Sequence, residues 1–520
     1  VTVANPTWIN DTTRRSSLDH LAGHPVDVAV VGGGITGAGV ALDAVSRGLS
    51  VALVEGGDFA SGTSGYSSKL IHGGLRYLAS MNFGVAWESA VERRWLMERI
   101  APHLVRRLGF VIPVTRGNPA WEPAAEAFGT VLYDVLRRFS GLGSAVLPRP
   151  RLLARRDVAA LAPALDMELV RRGILYWDGQ VVDDARLVFG VIRTAAGLGA
   201  HVLRDVNASA LTATAVHAVD TRTGAGVTVN ARVVVNATGV WAAGFEPELS
   251  MTPSRGTHLV VDAERLGNPQ AAHTVPVPGH FGRYVFVLPQ PGGLVYIGIT
   301  DEEDRGADGH HPAVPERDVG FLLDIVNTTL AVPLSRGDVV GSFAGLRPLA
   351  EGAHGHGDGG TADISRRHLV LNVPGAPITV VGGKLTTYRR MAQDAVDAAS
   401  ARLGVFAPSR TRTLPLVGAV PAPELAAVDA PARLVEKYGT EAASVQEFQR
   451  LDPLLAEPLF SGCDTTGAEL LFGILAEGAS SVEDLLERRT RLSFVPAEAA
   501  KARGRAAEIL ARAGTFGAAQ

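Results

Sequence analysis

Three stretches carry the residue types that chemistry needs. Near the start, Gly32, Gly34 and Gly37 form G-x-G-x-x-G, and Glu55 follows Gly34 by 21 residues. In this pattern the first glycine makes a tight turn and the second lets backbone approach a pyrophosphate. The third lets a helix pack close against a strand. The helix N-terminus offers N–H groups and a positive dipole end to phosphate. An acid at the end of the next strand can accept both hydroxyls of an adenosine ribose. The second stretch, SSKLIHGGLRYL (67–78), mixes lysine, histidine, two glycines, arginine and tyrosine, more chemistry than a plain connection needs. In the third, Gly382 and Gly383 precede Lys384 at the start of an apparent helix. Histidine is the natural proton acceptor, because its ordinary pKa lies near neutrality.

The elements that must position these residues follow from pattern. Val26 to Val31 is a short apolar run that reads as a buried parallel strand. Ala38 to Val45 continues a helix, with Asp43 and Arg47 as a possible i,i+4 pair, and Gly48 ends it. Ser50 to Val54 is the second strand. A lone glycine motif is weak, but strand, helix, strand and acid together predict dinucleotide binding, with NAD and FAD both open. Two later stretches favour FAD. ARVVVNATGVWA (231–242) is an apolar strand ending at Gly239. In HLVLNVPGAPITVVGGKLTTYRRMAQDAVDAA (368–399), the strand Ile378 to Val381 leads through the double glycine into a helix. That helix N-terminus suits the electron-rich N1/C2=O edge of a reduced flavin. The three pieces make the discontinuous pattern of a FAD domain with insertions.

Composition excludes several classes. At 520 residues the chain can hold two or three domains, and 46% hydrophobic with 20% charged residues is an ordinary globular balance. A net charge of −4 gives no global nucleic-acid footprint. The single cysteine, Cys463, excludes an internal disulfide framework and a cysteine-built metal site, and argues against a covalent cysteinyl flavin. No stretch reads as a signal peptide or as the roughly 18 apolar residues of a transmembrane helix. The EGAHGHGDGG run with His354 and His356 reads as a surface loop, since it lacks further ligands at fixed spacing. There is no nucleophile elbow, H-E-x-x-H or P-loop.

The segment Val31 to Gly48 resembles the first signature of FAD-dependent glycerol-3-phosphate dehydrogenases, and Gly382 to Ala392 is similar to the second. SSKLIHGGLRYL, YWDGQVVDDARLV (176–188), NATGVWA (236–242), RGTHLVV (255–261), YIGITDEE (296–303) and GLRPL (345–349) resemble the same family in order. ERRTRLSF (487–494) is similar to its terminal helical domain. The resemblance implies non-covalent FAD and oxidation of sn-glycerol 3-phosphate to dihydroxyacetone phosphate. Hydride passes to flavin N5 and electrons go on to a quinone, or in oxidase relatives to oxygen. It also implies residue roles. Arg76, Tyr77, Arg347 and Lys384 fall where substrate phosphate is held. Thr63, Ser64, Ser67 and Ser68 suit the pyrophosphate and the flavin approach. Gly73 and Gly74 let backbone run close to the isoalloxazine ring. Gly382, Gly383, Lys384, Leu385 and Thr386 border the flavin. His258 and His72 are the candidate bases, with His258 preferred and His72 placed near the flavin. An amine or amino-acid oxidase of the same fold is the alternative enzyme, disfavoured by the cation set.

The expected fold is α/β: a Rossmann-like FAD-binding domain with an inserted α+β substrate domain containing a β-sheet, and a C-terminal helical domain. An N-terminal extension covers 1–24. The FAD domain is expected from 25–80, 170–250 and 340–400, the substrate or cap domain from 81–169 and 251–339, and the helical domain from 410–520. The stretch 85–170 reads as mainly helical, and 257–263, 283–289 and 293–300 as strands. Residues 87–113 mix Arg pairs with Trp, Leu and Ile; such a face can lie on anionic lipid, but a core-facing helix with a solvated basic side is the preferred reading. The single cysteine fits a reducing compartment, so a cytoplasmic protein is expected; the resemblance implies peripheral contact with the cytoplasmic membrane face and a homodimer. No nucleic acid is expected as a partner.

Overall fold

The computed structural model describes residues 5–74, 82–116, 122–279, 283–307, 309–350 and 368–517. Arg76, Tyr77, His354 and His356 lie outside them.

The valine-rich run Val26–Val31 sits at the centre of a parallel sheet, so both of its faces are buried. Its neighbours are Val51–Val54 and Gly226–Asn236, in register through Val28, which lies opposite Val51 and Val233. His201–Leu203 and Ile378–Gly382 extend the sheet in parallel, and His368–Leu371 closes one edge antiparallel. The helix Ile35–Ser46 packs between Asp184–Gly197 and Tyr388–Leu403. Gly37 permits the tight helix–turn contact: a Cβ there would lie 1.9 Å from the Gly32 carbonyl oxygen.

A second, mostly antiparallel sheet stands beside the first. Its long strand Met251–Asp262 lies between Leu294–Gly298 and Val339–Ala350. That pairing sets Ser254 opposite Arg347 and His258 opposite Phe343. Val105–Thr115 and Val170–Val181 pair along their whole length in the same sheet.

Two placements differ from the sequence reading. Val170–Val181 and Val339–Ala350, grouped with the FAD domain on their motifs, are strands of the second sheet. Their motifs mark the site that the strands reach, not the sheet in which they pair. The stretch 87–113 is not one helix. Phe83–Trp95 runs into a π turn at Leu96–Ile100, and Val105–Thr115 is a strand. Pro102 breaks the helix, and the FVIPV run prefers a pleated surface. Arg93 is fully buried and paired with Asp178, so it belongs to no lipid-facing surface.

The C-terminal helices Ala432–Tyr438, Ala442–Phe448, Gly467–Leu475 and Pro496–Gly517 enclose their own core around Leu471, Phe472, Leu485 and Ile509. Buried ion pairs tie this unit to the parallel sheet: Arg488 and Arg489 to Asp58, Arg204 to Asp484, and Arg186 to Glu477. Among the described residues no helix is long and apolar enough to cross a membrane, and no acidic, His or Cys group could hold a metal ion.

Candidate functional site

The site begins at the first glycine turn. Gly32 has φ +111°, and a Cβ there would lie 2.5 Å from the Ala237 carbonyl oxygen, so the turn needs glycine. Gly34 caps the following helix with no side-chain hydrogen bond. Its missing Cβ faces Ser64 Oγ, which accepts from the Ile35 N–H at 2.9 Å. A helix N-terminus that opens on a bare glycine, with one N–H held by Ser64 and the other N–H groups of the first turn facing the same side, is a cradle for a pyrophosphate. Glu55 ends the second strand. Its carboxylate accepts from Gly33 N–H at 2.6 Å and Gly57 N–H at 2.9 Å, while burial pushes its pKa up. Each carboxylate oxygen can accept more than one bond, so this geometry still accommodates ribose hydroxyls. Gly239, with φ +62° and open space at its Cβ position, starts the turn after the returning strand. These residues fit FAD.

From Ile35, Thr63 and Ser64 a cavity of about 850 Å³ runs between the two sheets. Its wall carries a polar set, Ser67, Ser68, His72, Asp178, Arg347 and Lys384, and an apolar set, Phe83, Phe110, Ile112, Phe128, Leu132 and Phe286. The second double glycine leads into the same wall. Gly382 and Gly383 have φ +78° and +74°, and Gly383 to Thr386 lie on the wall. Gly74, φ +79°, lies there too. A Cβ on Gly73 would meet the Tyr133 hydroxyl at 2.6 Å, and the Gly73 N–H donates to that hydroxyl at 2.7 Å.

The four candidate hydroxyl residues of the loop after the second strand, Thr63, Ser64, Ser67 and Ser68, all have protein partners. Thr63 Oγ1 donates to the Leu346 carbonyl at 2.6 Å, which links this loop to the strand carrying Arg347. Ser67 donates through both N–H and Oγ to Asp184, at 2.9 and 2.8 Å. Ser68 Oγ and His258 Nε2 share a 2.9 Å hydrogen bond.

Arg347, on a strand of the second sheet, and Lys384, just after a strand of the first, both line the cavity. The Arg347 guanidinium is fixed by Asp301 at 3.0 Å, Ser254 Oγ at 3.1 Å and the Thr300 carbonyl at 3.1 Å. Lys384 Nζ donates to Ser89 Oγ at 2.7 Å. His72 is on the cavity wall, its backbone N–H donating to Thr386 Oγ1 at 3.2 Å. His258 is not on the wall. It is fully buried, stacked on Phe343, and reaches the cavity through Ser68. Burial, with Arg347 and Lys69 nearby, pulls its imidazole down to about 3.

Two groups around the cavity carried no role in the sequence reading. Asp178, Tyr133 and Arg93 form a buried triad beneath Gly73, with Tyr133 donating to Asp178 at 2.5 Å and Arg93 to Asp178 at 2.6 Å. Asp184 binds Lys69 Nζ at 2.7 Å and also Arg491. Burial opposes its charge, but Lys69 and Arg491 outweigh it and hold the carboxyl far below the usual carboxylate range. Acids set within the apolar YWDGQVVDDARLV run were the available signal.

The sequence profile of the FAD dependent oxidoreductase family matches residues 27–389, and that of the C-terminal domain of alpha-glycerophosphate oxidase matches 409–520. Glycerol-3-phosphate dehydrogenase 1 of Mycobacterium tuberculosis is 46% identical over 510 residues, covering 97% of this chain and 98% of the relative. The human mitochondrial glycerol-3-phosphate dehydrogenase is 33% identical over 533 residues, covering 94% of this chain and 70% of its own length. The crystal structure of a glycerol-3-phosphate dehydrogenase from Bacillus halodurans complexed with FAD superposes with a TM-score of 0.74 at 26% identity, covering 97% and 95% of the two chains. The glycine cradle, the discontinuous cofactor sheet and these likenesses agree: the cofactor is FAD, and the chain belongs to the FAD-dependent glycerol-3-phosphate dehydrogenase family.

Proposed function

We propose that the chain oxidises sn-glycerol 3-phosphate to dihydroxyacetone phosphate in this cavity and passes the electrons to a quinone. The carrying observation is that Arg347, Lys384 and His72, from separate parts of the chain, all line one cavity. Bound FAD supplies the hydride acceptor at N5. The chain's own residues do the rest. Arg347, pre-oriented by Asp301, Ser254 and Thr300, offers its planar fork to the phosphate. Lys384 adds a second cation, and Arg76 with Tyr77 completes the grip by family motif. His72, on the wall, takes the C2 hydroxyl proton. His258 holds Ser68 in place: the burial that keeps its imidazole neutral makes it a weak base. The grip on phosphate holds C2–H in a reactive orientation and so contributes to kcat as well as to binding.

The apolar part of the cavity lining supports a lipophilic acceptor. On the helix Glu122–Phe139, Phe128, Val131, Val135 and Phe139 share one face at helical spacing, 71%, 58%, 39% and 74% exposed. Phe128 and Leu132 of this helix also line the cavity. An exposed apolar face continuous with the cavity suits a quinone drawn from a membrane surface. Oxygen is the second reading, favoured by the match of 409–520 to the alpha-glycerophosphate oxidase C-terminal domain. Turnover with sn-glycerol 3-phosphate and either a quinone analogue or oxygen separates them. Faster quinone reduction is expected; oxygen consumption that equals or exceeds it places the chain with the oxidases.

A further inference from the structure

The segment 491–494 of the helical domain reaches the back of the cavity wall. Arg491 has φ +65°, uncommon for an arginine. Its guanidinium donates to Asp183 Oδ1 at 3.0 Å, to Asp184, and to the Glu487 carbonyl at 3.2 Å. Asp184 in turn holds Ser67 by two hydrogen bonds and Lys69 by a 2.7 Å ion pair, and the Lys69 N–H donates to Ser67 Oγ at 3.0 Å. Lys69 is itself 2% exposed with φ +56°. Three residues on, Phe494 stacks on Phe343 at 4.2 Å and 10°, and Phe343 stacks on His258 at 4.7 Å and 14°. His258 then holds Ser68. The fit is close: a Cβ on Gly341 would lie 1.9 Å from the Phe494 carbonyl oxygen. Ser67 and Ser68, neighbours on the cavity wall, are thus anchored by two separate chains of contact that both end in the C-terminal domain.

We propose that Arg491 and Phe494 are positioning residues for the oxidation site, so that the C-terminal helical domain completes the wall carrying Ser67 and Ser68. The inference rests on the reading of that wall as the substrate site. The charges facing Asp184 are Lys69 from the loop, Arg491 and the adjoining Asp183 at the helix cap, which also feels Arg186, with the phenols of Tyr66 and Tyr296 and the imidazole of His258 beside them. Without Arg491, two adjacent carboxylates share Lys69, while Arg186 is engaged by Glu477. One of them takes up a proton more readily, and a protonated Asp184 anchors Lys69 and Ser67 poorly.

The test uses the FAD-loaded full chain and compares Arg491→Ala, Arg491→Lys and Phe494→Leu with Arg433→Ala, which breaks the Arg433–Glu469 pair inside the helical domain only. The first readout is hydrogen exchange of residues 63–71. It should rise in Arg491→Ala and Phe494→Leu and stay at wild-type level in Arg433→Ala, even where thermal stability falls. The second is the rate of anaerobic flavin reduction by sn-glycerol 3-phosphate against pH. Arg491→Ala should fall about 10- to 100-fold at neutral pH, with a further acid limb absent from wild type. KM should stay within about threefold, since Arg347 and Lys384 are untouched. Arg491→Lys should recover most of the neutral-pH rate and remove the acid limb. Should Arg491→Ala not accumulate, Phe494→Leu still reports on the loop. Exchange in 63–71 that matches wild type in the folded variants overturns the proposal, as does a wild-type pH profile in Arg491→Ala. If wild-type flavin is not reduced by glycerol 3-phosphate but loop exchange responds, the substrate reading fails and the positioning role stands.

Discussion

Replacing Arg347 by alanine should remove a phosphate contact and uncover a like charge. Each charge-assisted contact contributes about 1.5–3 kcal/mol. Asp301, now 3.0 Å from the guanidinium, would be left facing the phosphate. A like charge about 6 Å away at an effective dielectric near 20 costs on the order of 3 kcal/mol, and partial exposure of the pair reduces this to about half. Together these give about 3–4.5 kcal/mol, or roughly 10² to 10³-fold in kcat/KM for sn-glycerol 3-phosphate. The two parts separate in a double-mutant cycle. Adding Asp301→Asn to Arg347→Ala should recover about tenfold, whereas Asp301→Asn alone frees the arginine from its anchor and gains little. Arg347→Lys should fall between alanine and wild type, because a point charge cannot reproduce the fork. Glycerol, which has no phosphate, is the control substrate, and Arg347→Ala should lose little toward it. Steady-state kinetics with a quinone analogue decide. Wild-type kcat/KM in Arg347→Ala, or no recovery in the double variant, would refute the placement of the phosphate.

Glu55→Ala should weaken FAD binding by about 1.5–3 kcal/mol, measured as the Kd of reconstitution; an unchanged Kd removes Glu55 from the cofactor site. His72→Gln should slow flavin reduction about 10²- to 10⁴-fold, and His258→Gln much less; the reverse order in rapid mixing would return the base to His258. Val131→Asp with Phe139→Asp should reduce binding to anionic vesicles without slowing anaerobic flavin reduction, and undiminished binding in flotation would clear this face of lipid contact. His103, His258 and His273 are buried, and burial is the main cause holding them down to about 4, 3 and 4. Each is neutral when folded and takes up a proton on unfolding below pH 6.5. Their stabilising effect is therefore intact above that pH and is lost as pH falls toward 4, about 2 kcal/mol each at pH 5. Denaturant unfolding across this range should show the loss, and a flat profile would contradict it.

The first glycine turn and its flanking strands were legible because their signals are local: glycine spacing, a valine run, an acid at the strand end. FAD was legible for the same reason, repeated at 231–242 and 368–399. Sheet membership was not. Val170–Val181 carries a site motif, yet pairs with Val105–Thr115, and pairing partners leave no mark in a single strand's sequence. The layer of His258 was equally hidden. Its motif placed it on a strand near the site, but only the stack on Phe343 and the bond to Ser68 show that it stands behind the wall. Lys69, Asp184 and Arg491 meet from three distant parts of the chain, so no spacing rule could join them. The helix expected over 87–113 ends before Pro102, a breaker that the basic pattern on either side of it masks.

Anaerobic titration of the FAD-loaded protein with sn-glycerol 3-phosphate tests the central claim most directly. The expected result is loss of the oxidised flavin's visible absorbance at one equivalent of substrate per FAD, with one equivalent of dihydroxyacetone phosphate formed. Flavin that stays oxidised in excess sn-glycerol 3-phosphate, yet is reduced by dithionite, would contradict it.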